Sequence, residues 1–334
     1  MTIAKQRNPL RQLRPVLELL ADGEVHSGQA LGDALGVSRA AVWKQLQKLT
    51  ACGLEVESVK GRGYRVPGGL DLLSAERLGA SLEPAAQDLL RELLLRDEVD
   101  STNAQILQRL EQGRGHGVAM LAERQTAGRG RRGRQWVSPF GSGISLSLGW
   151  QFSGGVQLLE GLSLAVGVAL AEALDDFGVP GVTLKWPNDV WCRGRKLAGV
   201  LLELTGDLTD RCGVVVGVGL NVGLPESEAC SIDQPWIDLN QVRPGIGRNE
   251  LAAAMLSRLL VLLEQYPARG FSAYRAAWQE RDAFAGRRII LEAARQSWVG
   301  YARGVNDSGA LLLDTDSGLR SFHGGEVSLR GAQE

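Results

Sequence analysis

A run of five arginines and three glycines, Glu123-Arg-Gln-Thr-Ala-Gly-Arg-Gly-Arg-Arg-Gly-Arg-Gln-Trp136, constrains this 334-residue chain more than any other segment. Such a loop suits an anion. Glycine lets the backbone approach a ligand closely and adopt positive φ, and guanidinium forks match the oxygens of phosphate or carboxylate. Gly128, Gly130 and Gly133 formally satisfy the dinucleotide fingerprint, but that motif needs a helix directly behind its last glycine to hold the pyrophosphate. Here Ile144-Ser-Leu-Ser-Leu148 follows with period-two alternation, so a strand is expected and the dinucleotide-binding fold is set aside. A solvated basic loop remains the competing reading of the same charge run.

Lysine usage favours the anion site. Only six of the 37 basic residues are lysines, and beyond residue 67 only Lys185 and Lys196 occur. An ammonium is a compact point charge that fits between two anionic groups where a planar guanidinium does not. Lys185 interrupts the apolar strand pattern Val182-Thr-Leu-Lys-Trp-Pro-Asn-Asp-Val190, where an unpaired charge is costly, and is therefore a functional candidate. Lys196, in the turn Cys192-Arg-Gly-Arg-Lys196, reads as an ordinary hairpin charge.

A net charge of −1 conceals an asymmetry. Residues 1–67 hold ten basic and six acidic side chains, net +4, against 27 basic and 32 acidic beyond, net −5. One end of the chain is thus suited to a polyanion. That end also has the spacing of a helix-turn-helix. Leu10, Leu13, Leu17 and Leu20 make one stripe closed by Gly23. Ser27 caps a second helix with Leu31 and Leu35, Gly36 turns the chain, and Ser38 caps a third with Val42, Leu46 and Leu49 facing inward. Ala40, Lys44, Gln47 and Lys48 then point outward, with Ser38 and Arg39 at the helix start, as a recognition helix requires. Leu54–Val59 and Tyr64–Val66 alternate as strands around Lys60-Gly-Arg-Gly63, a wing whose tip carries Lys60 and Arg62. A small helical protein-interaction domain would show the same stripes.

Pro67-Gly-Gly69 marks a joint. A helix is expected near Ser74 to Leu95, then an extended piece and a second helix from the Ser101-Thr-Asn103 cap to Gln112. Strands at Val118–Glu123, Ile144–Trp150, Val182–Trp191, Leu197–Thr205 and Cys212–Val222 predict a mostly antiparallel sheet, covered on one face by helices at about 156–177 and 248–266. The 156–177 stretch has too few uncharged residues in a row to span a bilayer and reads as a core helix. From 287 to 330 short strands separated by turn residues predict a small β-barrel. The expected domains are 1–67, 68–282 and 283–334. Four cysteines without metal-ligand spacing, and no signal sequence, point to a reduced cytoplasmic protein without membrane association. His26, His116 and His323 are too scattered for a catalytic triad. Trp150, Trp191, Trp278 and Trp298 read as core aromatics; Trp136, Trp186 and Trp236 lie beside motifs where ligand contact is worth testing.

Ser101-Thr-Asn103, Gln125 with Ala127-Gly-Arg-Gly-Arg-Arg-Gly-Arg134, Lys185-Trp-Pro-Asn-Asp189, Lys196-Leu-Ala-Gly199, Gly217-Val-Gly-Leu-Asn221 and Gly325-Glu-Val-Ser328 together resemble the biotin–protein ligase family. With the winged helix in front, the resemblance is to its bifunctional bacterial form, which is also the biotin operon repressor. It implies an α+β multidomain fold: a winged helix-turn-helix, a central α+β ligase domain with a mixed or antiparallel sheet of the class II synthetase kind, and a small C-terminal β-barrel like a Src-homology-three domain. It implies ATP and Mg²⁺, biotin as substrate, biotinyl-5′-AMP as intermediate and corepressor, a biotin carboxyl carrier protein (the acetyl-CoA carboxylase subunit) as acceptor, operator DNA as target, and a ligand-linked homodimer. By the same resemblance, Lys185 and Arg131 are catalytic, and Ser101, Thr102, Asn103, Gln125, Arg129, Gly130, Arg131 and Lys185 bind biotin. Arg131, Arg132, Arg134, Trp136, Asn188, Asn221 and Trp236 bind the adenylate. The metal ligands are not evident. The stretch Leu224–Trp236, aliphatic in better-known members, is polar here apart from Trp236, which implies weaker adenylate ordering and weaker coupled dimerisation. A lipoyl or octanoyl ligase would share the fold, but the arginine, triple-glycine and histidine motif of that family is missing. A sensor that binds without turnover stays open.

Overall fold

The computed structural model describes residues 12–207, 209–293, 296–323 and 327–331. Leu10 and the Gly325-Glu326 pair therefore lie outside the described residues. Three helices, α1 (Arg14–Leu20), α2 (Gly28–Leu35) and α3 (Arg39–Ala51), precede a hairpin of β1 (Glu57–Val59) and β2 (Gly63–Arg65). The serines cap as expected: Ser27 Oγ accepts from Ala30 N at 3.0 Å and Ser38 Oγ from Ala41 N at 3.2 Å, while Gly36 turns at φ +65°. Leu13, Leu17, Leu20, Leu31, Val42, Leu46 and Leu49 are buried in one cluster that also takes in Leu72 and Phe140 from beyond the joint. Ala40, Lys44, Gln47 and Lys48 are exposed on α3, as are Lys60 and Arg62 on the wing. Trp43, 52% exposed beside Lys44, does not pack into its own chain.

The expected helix from Ser74 to Leu95 is corrected. Instead there are two short helices, α4 (Ala75–Ser81) and α5 (Pro84–Gln87), and then a strand, β3 (Glu92–Val99). The first helix ends at Ser81, with Leu82 already extended at ψ 137°, and Pro84 holds Glu83 extended as well, at ψ 145°, so the helix does not continue. The leucine run that follows is drawn into parallel pairing with β4 (Val118–Gln125), across α6 (Thr102–Glu111). Next come β5 (Gly143–Ser153), α7 (Leu162–Asp176), β6 (Val182–Lys185), β7 (Asp189–Cys192), β8 (Arg195–Asp207) and β9 (Arg211–Asn221). The single strand expected over Val182–Trp191 is thus split in two, because Pro187 has no N–H for a ladder and Trp186-Pro187-Asn188 forms the hairpin turn. The seven strands are ordered β3-β4-β5-β9-β8-β7-β6, antiparallel except for the first pair.

Short helices α8 (Glu226–Ala229) and α9 (Leu239–Val242) lead to α10 (Arg248–Arg269) and α11 (Ser272–Glu280). Helices α7 and α10 pack together on the sheet, and α6 packs on β5, β8 and β9. The stretch Val156–Asp176 is apolar and long enough to cross a membrane, but 61% of its 18-residue window is buried here as the central core helix. Strands β10 (Arg288–Ala293), β11 (Gln296–Val305), β12 (Leu311–Thr315), β13 (Gly318–Phe322) and β14 (Val327–Gly331) form a five-stranded antiparallel sheet in the order β13-β12-β11-β10-β14. Its docking to the central unit involves Trp186, only 1% exposed, whose indole N–H donates to Gly309 O at 3.0 Å. Trp186 is thus held in the core while its residue still lines a cavity beneath the arginine loop.

A buried ionic knot joins the N-terminal unit to the sheet. Glu123, at 1% side-chain exposure, meets Arg248 Nη1 at 2.9 Å and accepts from Leu73 N at 2.6 Å; Arg14 of α1 lies 3.8 Å away and donates to Leu73 O and Asp97. Removing one partner of such a pair strands the other charge in a medium that solvates it poorly. Glu123→Ala is expected to destabilise the fold by about 3–5 kcal/mol, read as a lowered midpoint in urea unfolding followed by circular dichroism. An unchanged midpoint would remove the knot from any account of stability.

Candidate active site and nucleic-acid face

The arginine loop leaves β4 and folds back on itself before β5. Thr126 N and Ala127 N donate to Val99 O and Asp100 O at 2.9 and 2.8 Å, Trp136 N donates to Gly128 O at 2.9 Å, and Gly130 N to Arg134 O at 2.7 Å. The tip, Arg131–Gly133, is a single 3₁₀ turn in which Arg132 takes φ +58°. The loop's far end lays Trp136 against β9 where there is no side chain: a Cβ on Gly219 would sit 2.3 Å from the indole. Next along the same strand, a Cβ on Gly217 would sit 2.1 Å from Asn103 Oδ1. The glycines of Gly217-Val-Gly-Leu-Asn221 thus clear room for an aromatic ring and an amide over the sheet.

Two cavities meet under this loop. The smaller, about 60 Å³, is lined by Ser101, Thr102, Asn103, Gln125, Arg129 and the β8–β9 backbone. Its polar groups are already linked: Gln125 Oε1 accepts from Thr102 N and Oγ1 at 2.9 and 3.1 Å, Gln125 Nε2 donates to Ser145 Oγ at 3.1 Å, and Ser147 Oγ lies 2.7 Å from Thr102 Oγ1 and 2.5 Å from Asn103 Oδ1. Ser101 caps α6 through Ala104 N. The larger cavity, about 280 Å³, is lined by Arg132, Arg134, Lys185, Asp189, Asn221 and Trp236 among others. Gly130, Arg131, Trp136, Asn188 and Lys196 line both, and so form the seam between them. Every residue expected from the sequence to hold biotin or adenylate lines one cavity or the other.

At the seam, Arg131 Nη1 donates to Asn188 Oδ1 at 3.0 Å, and Asn188 Nδ2 donates to Val200 O at 2.8 Å. Burial, and then the neighbouring Arg132, pull the Arg131 guanidinium below its ordinary pKa; it remains a cation, now poorly hydrated and well placed to take an anion. Lys185, at the end of β6, has its Nζ 4.6 Å from the centre of the Trp191 ring and lines only the larger cavity.

Lys196 corrects the sequence reading. It is no exposed hairpin charge: its side chain is 15% exposed, its Nζ stands 2.8 Å from Asp189 Oδ1 and 5.7 Å from the centre of the Trp136 ring. The approach to Asp189 is close enough for an ion pair yet off the angle of a hydrogen bond, so that oxygen makes none. Lys196 also shapes the site through its backbone, which accepts from Ile237 N at 2.9 Å and donates to Pro235 O at 3.0 Å, fixing the segment that brings Trp236 to the cavity. Asn221 Nδ2 holds the same segment through Ile237 O at 3.1 Å. The rarity of lysine in this chain marks Lys196 as it marks Lys185; the surrounding Arg193-Gly-Arg195 turn disguises it.

Two joined cavities beneath a cationic loop, behind an N-terminal unit with a basic exposed helix and wing, define a ligand-activating enzyme fused to a DNA-binding module. Residues 78–221 match the biotin/lipoate A/B protein ligase family, residues 11–65 an HTH domain family, and residues 284–330 the biotin protein ligase C terminal domain. The chain is 41% identical to the bifunctional ligase/repressor BirA of Salmonella typhimurium over 95% of its own length and 97% of the relative's. It is 35% identical to the biotin--[acetyl-CoA-carboxylase] ligase of Paracoccus denitrificans over 70% of this chain and 98% of that one. The solved biotin protein ligase of Aquifex aeolicus in complex with biotin and ATP superposes with a TM-score of 0.62 at 29% identity, covering 73% of this chain and 100% of that structure. The chain belongs to the biotin protein ligase family.

The closeness of Gly219 to Trp136 gives a test of the site's architecture. Gly219→Ala is expected to push the indole away, to weaken biotin binding by roughly tenfold and, because overpacking costs on the order of 1–3 kcal/mol, to lower the melting temperature by a few degrees. Calorimetric titration with biotin that gives the wild-type affinity would show that Trp136 does not shape the pocket.

Proposed function

We propose that this chain activates biotin with ATP, transfers it to one lysine of a biotin carboxyl carrier protein, and represses biotin-synthesis genes when loaded with the intermediate. The carrying observation is the seam: Arg131 and Lys196 stand where the smaller pocket opens into the larger one. In the first step a biotin carboxylate oxygen attacks the α-phosphorus of ATP, the bond to pyrophosphate breaks, and biotinyl-5′-AMP remains. Two anions must come within bonding distance, and a fixed cation aimed at the charge that builds up lowers that barrier. Lys196 and Arg131 fill this role at the junction, with Lys185 facing the phosphates from the larger cavity. In the second step the carrier's lysine amine attacks the acyl carbon, AMP leaves with the electron pair, and an amide forms.

The smaller pocket, with Ser101, Thr102, Asn103, Gln125 and Arg129, takes biotin. Arg132, Arg134, Trp136, Asn188, Asn221 and Trp236 take the adenylate. Among the described residues no cluster of three His, Cys, Asp or Glu offers a ready metal cage. Mg²⁺ nevertheless fits as an ion carried mainly on the phosphate oxygens of ATP. When bound it neutralises phosphate charge.

For the second activity, Ser38, Arg39, Ala40, Lys44, Gln47 and Lys48 present the face of α3, and Lys60 and Arg62 the wing, to operator DNA. Phosphate neutralisation by these cations would make binding fall steeply with salt. Ordering of the arginine loop and the 224–236 segment by adenylate would complete a homodimer surface that sets two winged helices one half-site spacing apart. The polar character of 224–236 makes this coupling weaker than in an aliphatic version. The protein works in the cytoplasm.

Biotin-dependent pyrophosphate release should be saturable in both substrates. Lys196→Ala is expected to lower its kcat by on the order of 10²–10³, the usual loss for one preorganised charge at a reacting centre. Lys185→Ala should nearly abolish adenylation, and Arg131→Gly should release adenylate prematurely, detected as free biotinyl-5′-AMP in the medium. Normal turnover in Lys196→Ala would move the reacting centre away from the seam. Sedimentation with saturating adenylate at micromolar protein should show a dimer; a persistent monomer would separate repression from dimerisation.

A further inference from the structure

Glu203 lies towards the outer end of β8, opposite Val215 of β9, and with Leu201 lines a third, open cavity along the arginine loop, of about 680 Å³. Its two oxygens go to two different elements. Oε1 is 3.1 Å from Arg129 Nη1 on the arginine loop, and Oε2 accepts from Asn103 Nδ2 at 2.8 Å in the first turn of α6. We propose that Glu203 is a positioning residue: it latches the arginine loop to the sheet and, as the nearer of two acceptors, sets which way the Asn103 amide faces the biotin pocket.

The amide argument is one of donor and acceptor. Asn103 is 4% exposed, and a carboxylate only accepts, so the Asn103 NH₂ must face Glu203. Its Oδ1 is then directed to the buried Ser147 Oγ. Leu201 O, 3.4 Å from the same Nδ2, favours this orientation too but at a longer distance, so a neutral amide or an alanine at 203 would weaken the choice and make the Asn103 amide easier to flip. The latch argument is one of exposure. Glu203 is 23% exposed and Arg129 48%, so their ion pair is half in water, weak and open to screening by salt. A weak tie of this sort holds the loop at low cost and releases it when Gly130 and Arg131, the next residues along, close on a ligand. The functional meaning of the latch rests on the reading of the loop as the lid of a ligase site.

The test uses the full-length protein without biotin or ATP, and trypsin, which cuts after arginine. Cleavage within 129–134 is expected to be slow in the wild type and roughly two- to fivefold faster in Glu203→Gln and Glu203→Ala, the range for one partly exposed ion pair. Added sodium chloride should bring the wild type up towards the Glu203→Gln rate and leave that variant little changed, a response that a purely structural role would not give. Glu203→Gln keeps the side chain's size, so a matched melting temperature there separates loop release from misfolding even if Glu203→Ala folds poorly. The same variant should raise the biotin KM with little effect on kcat. Equal cleavage rates and equal salt response in wild type and Glu203→Gln would overturn the proposal. Biotin-dependent pyrophosphate release by the wild type is scored separately, so failure of the latch and failure of the ligase reading give different results.

Discussion

The indole of Trp136 resting on the bare backbone of β9 at Gly219 is the contact around which the site is organised. It brings the returning end of a long, charged loop down onto the sheet, and the ring forms part of the seam between two cavities. A loop with four arginines, Arg129, Arg131, Arg132 and Arg134, repels itself and would otherwise extend into water. Backbone bonds from Gly128, Gly130 and Trp136, and the ion pair from Arg129 to Glu203, counter that repulsion. Each is modest, and the packed ring, together with Arg131 on Asn188, sets the loop's height above the sheet. Held there, Arg131 lines both cavities and Arg132 and Arg134 line the larger.

How much of this was legible in the sequence depends on how local its causes are. The N-terminal unit reads well because capping serines, a turning glycine and an apolar stripe all act within one or two helical turns. The residues that line the two cavities were legible because they lie in short motifs. What was lost depends on partners far along the chain. The run around Leu93–Leu95 satisfies a helix as easily as a strand, and only parallel pairing with β4, beyond an intervening helix, decides it. Pro187 did carry a local signal, since proline seldom sits inside a central strand; its neighbours' apolar pattern outweighed it. Glu203 gave none, because its partners Asn103 and Arg129 are 100 and 74 residues away.

The same strand, β4, serves both the fold's buried ionic knot and the ligand pocket. Glu123 and Gln125 are two apart and so share a face: the first binds Arg248 and Leu73, the second Thr102 and Ser145. Arg14 of α1 reaches the same knot, and Phe140, just past the arginine loop, is buried with the leucines of the N-terminal unit. The loop therefore springs from and returns to positions that the DNA-binding unit packs against. Its two roots are rigid while its tip is exposed, the arrangement expected of a segment that must move without disturbing what lies beneath it.

The pairing of Lys196 with Asp189 bears on why this cation is a lysine. A buried ammonium without ligand needs a counter-charge, and at 13% exposure Asp189 supplies one nearby. When a carboxylate and a phosphate arrive together, the site gains at least two negative charges at one point. A bidentate guanidinium locked to Asp189 would have both its hydrogen bonds committed and its plane fixed. A lysine held to Asp189 through one oxygen keeps its other donors able to turn, so the same Nζ that is neutralised by Asp189 can swing between two substrate oxygens as they close. The rarity of lysine in the chain and the geometry of this pair then have one explanation: a point charge on a flexible stem is retained where the negative charge it must meet changes position during the reaction.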